Sequence, residues 1–72
     1  MARRYTGTVT SFYHDRGWGF VRVDGLARGD AIIHVLEFPQ SVDVSDLARG
    51  VRVEFYLEQH AKGLRSVRAN II

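Results

Sequence analysis

Arg16-Gly17-Trp18-Gly19-Phe20-Val21 is the stretch on which the fold turns. In a strand successive side chains face opposite ways, so Trp18, Phe20 and Arg22 share one face while Gly17, Gly19, Val21 and Val23 share the other. The small and β-branched residues then stand where a tight core needs them. Two large rings flanked by arginines stand where water would otherwise wet the strand. Aromatics on a strand are usually core, and a strand glycine often marks only a bulge or a bend. Exposed rings beside cations are, in contrast, what base stacking requires. The hexapeptide alone leaves the two readings open, and the segments around it decide between them.

Upstream, Tyr5 to Phe12 is rich in threonine and other β-formers and reads as strand one. Tyr5, Gly7 and Val9 share one face and Thr6, Thr8, Thr10 and Phe12 the other, which predicts Val9 in the core and Phe12 as an exposed aromatic. Tyr13-His14-Asp15-Arg16 is short enough for a hairpin loop. Downstream, Asp24-Gly25 and Leu26-Ala27-Arg28-Gly29 read as turns before a strand over Asp30–Val35. There Ala31, Ile33 and Val35 point inward, and Ile32 and His34 point outward beside Trp18 and Phe20 on an antiparallel neighbour.

From Leu36 to Gly50 the alternation breaks into an irregular connection with Pro39 and a short helical turn capped at Ser45 or Asp46. Phe38 is expected to fold back onto the core. Val51, Val53, Phe55 and Leu57 then alternate with Arg52, Glu54, Tyr56 and Glu58, the mark of a half-buried strand. A loop over Gln59–Leu64, with Ala61-Lys62-Gly63 at its tip, leads to strand five, where Val67, Ala69 and Ile71 alternate with Ser66, Arg68 and Asn70.

Five short strands and no amphipathic helix predict a single all-β domain over residues 1–72, a five-stranded antiparallel barrel filled by small and branched apolar residues. The central stretch also comes close to the RNA-recognition signature Lys/Arg-Gly-Phe/Tyr-Gly/Ala-Phe-Val-x-Phe/Tyr. That domain packs two helices behind its sheet, and no segment here is long enough for either.

The chain has 72 residues and no cysteine, so disulfides and thiolate metal sites are excluded, and a reducing, cytoplasmic setting is expected. Met1-Ala2-Arg3-Arg4 runs straight into a strand pattern, with no signal-like apolar run and no span for a bilayer. The net charge is only +2. Its distribution is uneven: Arg3, Arg4, Arg16, Arg22 and Arg28 precede an acidic middle with Glu37, Asp43 and Asp46. One basic face for an anionic partner and one acidic edge would follow.

Taken in order, these motifs resemble the bacterial cold-shock domain family, a five-stranded OB-fold that binds single-stranded RNA and DNA. Arg16 to Val21 matches the family's Lys-Gly-Phe-Gly-Phe-Ile, and Asp30-Ala31-Ile32-Ile33-His34-Val35 its Asp-Val-Phe-Val-His-Phe. Gly50-Val51-Arg52-Val53-Glu54-Phe55 is similar to Gly-Gln-Lys-Val-Ser-Phe, and Ala61-Lys62-Gly63 and Ala69-Asn70-Ile71 to the closing Ala-Lys-Gly and Ala-Asn-Val. Departures fall on the surface where the family binds. Thr10-Ser11-Phe12 replaces Lys-Trp-Phe and removes a stacking tryptophan, while Ile32 and Val35 replace two more rings. Each lost ring would cost about 1–3 kcal/mol per stacked base.

The expected function is therefore single-stranded nucleic-acid binding, with an RNA-chaperone or expression-regulating role implied by the resemblance. Trp18, Phe20, Phe12 and His34 are the candidate stacking groups, Ile32 an apolar contact, and Arg16, Arg22 and Lys62 the candidate phosphate contacts. Base preference should be mild, because every base has a π-face, and RNA is not distinguished from DNA. The alternative is an OB-fold protein-interaction module whose nucleic-acid binding has weakened or gone. An enzyme is not expected: His14, His34 and His60 lie on different elements, and no nucleophile–base or paired-carboxylate set can be placed in one cleft. Neither a metal, a small-molecule cofactor nor a membrane is expected as a partner. The chain is expected to be a monomer, or at most a weak homodimer.

Overall fold

The computed structural model describes residues 3–27 and 29–72. Arg28, counted above with the basic residues, and Met1-Ala2 lie outside the described residues. Five strands form a closed barrel: β1 (Arg4–Tyr13), β2 (Trp18–Val23), β3 (Asp30–His34), β4 (Arg52–His60) and β5 (Gly63–Ile71), in the spatial order β1-β2-β3-β5-β4. Two 3-10 turns, Val35–Glu37 and Val44–Asp46, lie in the long β3–β4 connection. Four pairings are antiparallel, as expected. The fifth is a correction: β3 and β5 run parallel, joined through Ala31↔Leu64 and Ile32↔Arg65. The chain reaches β5 after an odd number of reversals from β4, so closing the barrel against β3 leaves both strands running the same way.

The interior is filled by the residues that alternation placed there. Val9, Val21, Val23, Ala31, Ile33, Val53, Phe55 and Ala69 are buried, and Leu47 and Phe38 fold in from the connection. Complete burial of each larger aliphatic side chain contributes about 1.5–3 kcal/mol. The barrel is narrow where β1 crosses β2. A Cβ placed on Gly19 would press on the Ser11 carbonyl oxygen and come within 2.7 Å of the Phe12 Cα.

Several boundaries move. The expected β4–β5 loop is a tight hairpin instead, since β4 continues to His60, which pairs with Gly63. Val35 leaves β3 and opens the first 3-10 turn, and the second turn is capped by Asp43, not Ser45 or Asp46. Asp43 accepts from the Ser45 N–H, while the Asp46 carboxylate reaches back to the Asp43 N–H.

Two bulges break the period-two count. On β1 the register slips between Val9 and Ser11, so Thr10 is the extra residue. On β5 it slips opposite Phe55, where Arg68 takes the left-handed region at φ 50°. A non-glycine residue rarely adopts that conformation. The Arg68 N–H donates to Glu37 Oε1 at 3.1 Å, which fixes the kink. Beyond it, Ser66 is fully buried where Val67 was expected, and its hydroxyl donates to the Ile32 carbonyl at 2.9 Å. The expected inward placement of Val67 is thus corrected: Val67 is only half-buried.

Candidate nucleic-acid interface

Strand register lays the outer side chains of β1, β2 and β3 in rows across the barrel. In the first row Tyr13 pairs with Trp18 and Trp18 with His34. The second runs from Ser11 to Phe20 to Ile32 and on to Arg65 of β5. The third is polar, from Thr8 to Arg22 to Asp30. The first two rows therefore bring Trp18, Phe20, Ile32 and His34 together, and the third borders them with charge.

The rings are arranged edge to face. Trp18 meets Phe20 at 5.8 Å between centroids and Tyr13 at 5.0 Å, both T-shaped. Such pairs gain about 0.5–1.5 kcal/mol beyond area burial. Tyr13 is 43% exposed, Phe20 37% and Ile32 38%, and none of the three belongs to the apolar side chains packed against the core. These groups stand outside the core cluster, on the solvent side of the barrel.

Phe12 is a correction. The extra residue at Thr10 turns Ser11 and Tyr13 to the outer face and Phe12 inward, where it pairs with Gly19 and packs half-buried against the core. Its ring lies 5.4 Å from that of His14, whose Nε2–H donates to the Leu47 carbonyl at 2.7 Å. Alternation places Phe12 outside only if no bulge intervenes, and Tyr13, set aside as loop, takes the outward position.

His34 is held by the turn that follows it. Its Nδ1 accepts the Leu36 N–H at 3.1 Å, so the neutral ring carries its proton on Nε2 and has a donor to offer. Beside it lie two adjoining grooves that share Ile32 and Arg65. One, of about 220 Å³, is lined by Trp18, Ile32, His34 and Arg65. The other, of about 440 Å³, runs from Phe20, Asp30 and Ile32 to the β4–β5 turn over residues 60–65 and so includes Lys62.

The cations differ in what already holds them. Arg22 is bound to Asp30 at 2.8 Å, an exposed pair that neutralises it locally. Arg65, absent from the sequence reading, stands 3.5 Å from Glu37. Only its register partner Ile32 could have pointed to it, and that pairing is the parallel one. Arg16 is exposed on the β1–β2 hairpin, and neither it nor Lys62 has an acidic partner among the described residues. Away from the rings, Arg52 binds Asp24, which also accepts from the Thr6 hydroxyl at 2.7 Å; these bonds hold the Asp24 carboxyl at about 2. Among the described residues no cluster of three or more His, Cys, Asp or Glu could hold a metal ion, and no helix is long and apolar enough to cross a membrane.

The family model for the 'Cold-shock' DNA-binding domain matches residues 5–70, which takes in both grooves and all five strands but for Arg4 and Ile71 at their ends. The chain belongs to the cold-shock domain family. Cold shock protein CspV of Vibrio cholerae serotype O1 is 36% identical over 63 residues, which cover 88% of this chain and 87% of that protein. Among solved structures, drosophila Unr CSD456 is similar at a TM-score of 0.75 and 25% identity, over 99% of this chain. The chain spans 27% of that longer one. A cold-shock domain is a single-stranded nucleic-acid-binding module, and the closed five-strand barrel is its OB-fold.

Proposed function

We propose that this cold-shock domain binds single-stranded RNA or DNA across β1, β2 and β3, with bases stacked on Trp18, Phe20 and His34 and apolar contact from Ile32. The observation that carries the reading is the continuous patch formed by Trp18, Phe20, Ile32 and His34. These side chains are adjacent in register and exposed or half-exposed. Stacking on such rings contributes about 1–3 kcal/mol per base. Arg16 and Lys62 would meet phosphates without first breaking an ion pair, and Arg65 would do so by exchanging Glu37 for phosphate. Phe12 and Arg22 carry less of the site, because one packs against the core and the other is bound to Asp30. The protein would act as an RNA chaperone or regulator of expression by holding strands unpaired, without catalysing a reaction.

The test is a fluorescence titration of Trp18 with a pyrimidine-rich single strand, and with the matching duplex as control. The expected result is quenching by the single strand alone, since a stacked base quenches the indole. Emission unchanged at saturating oligonucleotide would overturn the proposal and leave protein interaction as the better reading of this face.

A further inference from the structure

The binding face has lost a ring at Ser11, yet β1 still presents one. We propose that Tyr13 is a base-stacking residue that carries the binding face one nucleotide further along the first row, beyond Trp18 toward the β1–β2 hairpin. This rests on the single-strand-binding reading above.

Three observations support the assignment. First, the bulge at Thr10 sets the phase of the strand end, so that Ser11 and Tyr13 fall on the same outer face as Phe20 and Trp18. The Thr10 hydroxyl donates to the Phe20 carbonyl at 3.3 Å across that bulge. Second, Tyr13 is anchored at its backbone. Its carbonyl accepts from both the Arg16 N–H at 3.0 Å and the Gly17 N–H at 2.9 Å, so the ring stands on a fixed base and little entropy is lost when a ligand meets it. Third, the ring is exposed, lies edge-on to Trp18 and takes no part in the core. A nucleotide continuing from Trp18 over β1 would meet the Tyr13 face and then the cation of Arg16 on the same hairpin, which has no acidic partner among the described residues. An anionic, aromatic polymer fits that sequence of groups.

The alternative is that Tyr13 merely props the Trp18 ring, and oligonucleotide length separates the two roles. Affinities of the native protein, Tyr13→Phe, Tyr13→Leu and Tyr13→Ala are measured for oligothymidylates of about 4 to 8 nucleotides, within the range one such fold accommodates. For the longer strands Tyr13→Ala and Tyr13→Leu are expected to bind about fivefold or more weakly than native, and Tyr13→Phe like native. The affinity gain with length should end one nucleotide earlier in the Ala and Leu variants. Tyr13→Leu keeps apolar bulk beside Trp18, so it separates a missing π-face from a collapsed neighbour. Loss by the same factor at every length would overturn the proposal in favour of propping, as would no loss at all. If the native protein binds none of these strands, the function proposed above fails and this assignment with it.

Discussion

The two faces of β2 treat apolar side chains in opposite ways. On the inner face Gly19, Val21 and Val23 are buried, and the space is so closely filled that one position admits no side chain. On the outer face Trp18 is half-buried and Phe20 exposed, and Trp18 packs edge to face on both Phe20 and Tyr13. The larger hydrophobes of this strand therefore do the least for stability. Volume limits the inside, whereas a ligand with flat faces would make use of the outside. Substitutions on one face should read out in folding, and those on the other in affinity.

The largest expected effect is at Gly19. Gly19→Ala forces the backbone of β1 away from β2 and should destabilise the fold by about 3 kcal/mol, the upper end of overpacking costs. Denaturant unfolding measures it. A change below about 0.5 kcal/mol would mean that the strands separate easily and the contrast between faces is false.

The sharpest comparison pairs neighbours on β3. Ile33 is buried and Ile32 exposed. Ile33→Phe should destabilise by about 1–3 kcal/mol. Ile32→Phe should leave the melting temperature unchanged and tighten single-strand binding by about 1 kcal/mol, the lower end of a stacking contribution. Melting and affinity measured on both variants test the register; the reverse pattern would place the binding face on the wrong side.

Salt dependence sharpens the outer face further. Arg16, Lys62 and Arg65, at about 0.7 per neutralised phosphate, give a log–log slope of roughly −2. Arg65→Gln should reduce its magnitude by about 0.7, and Arg22→Gln should change it less, because Asp30 already neutralises that guanidinium. A slope steeper than roughly −5 would reveal a wider basic surface.

The smallest effect belongs to neither face. Arg52 and the Thr6 hydroxyl depress the Asp24 carboxyl from 3.8 to about 2 in the folded state. A depressed folded value means that the contact's stability is fully present above the unfolded value near 4 and is lost as the pH falls toward 2. Asp24→Asn should flatten that part of the melting-temperature profile and leave single-strand affinity near neutral pH unaltered.

Much of this was legible in the sequence. Alternation correctly sorted Val21 from Trp18, Ile33 from Ile32 and Val53 from Arg52, because residues on a half-buried strand must repeat every second position. It failed where one residue more or less changed the phase. Nothing in Thr10-Ser11-Phe12 announces a bulge, so strict alternation puts Phe12 outside and leaves Tyr13 to the loop. Arg68 did the same to β5 and concealed the burial of Ser66 and the approach of Arg65. The motif residues of the proposed surface on β2 and β3 can be read from the sequence, whereas the parts that β1 and β5 would contribute depend on tertiary register, which a local pattern does not carry.

The parallel contact between β3 and β5 closes the barrel along its shortest seam. Among the described residues it consists of Ala31↔Leu64 and Ile32↔Arg65, reinforced by the Ser66 hydroxyl on a carbonyl 34 residues away in sequence. It is the shortest ladder of the barrel among the described residues, and so short a ladder is expected to open more readily than the longer ones. Both grooves straddle this seam, with Ile32 on one bank and Arg65 on the other. A strand of nucleic acid lying in them would act as a suture: amides of β3 and β5 should exchange with deuterium more slowly when it is bound, while those deep in the β1–β4 ladder, far from the seam, keep their rates.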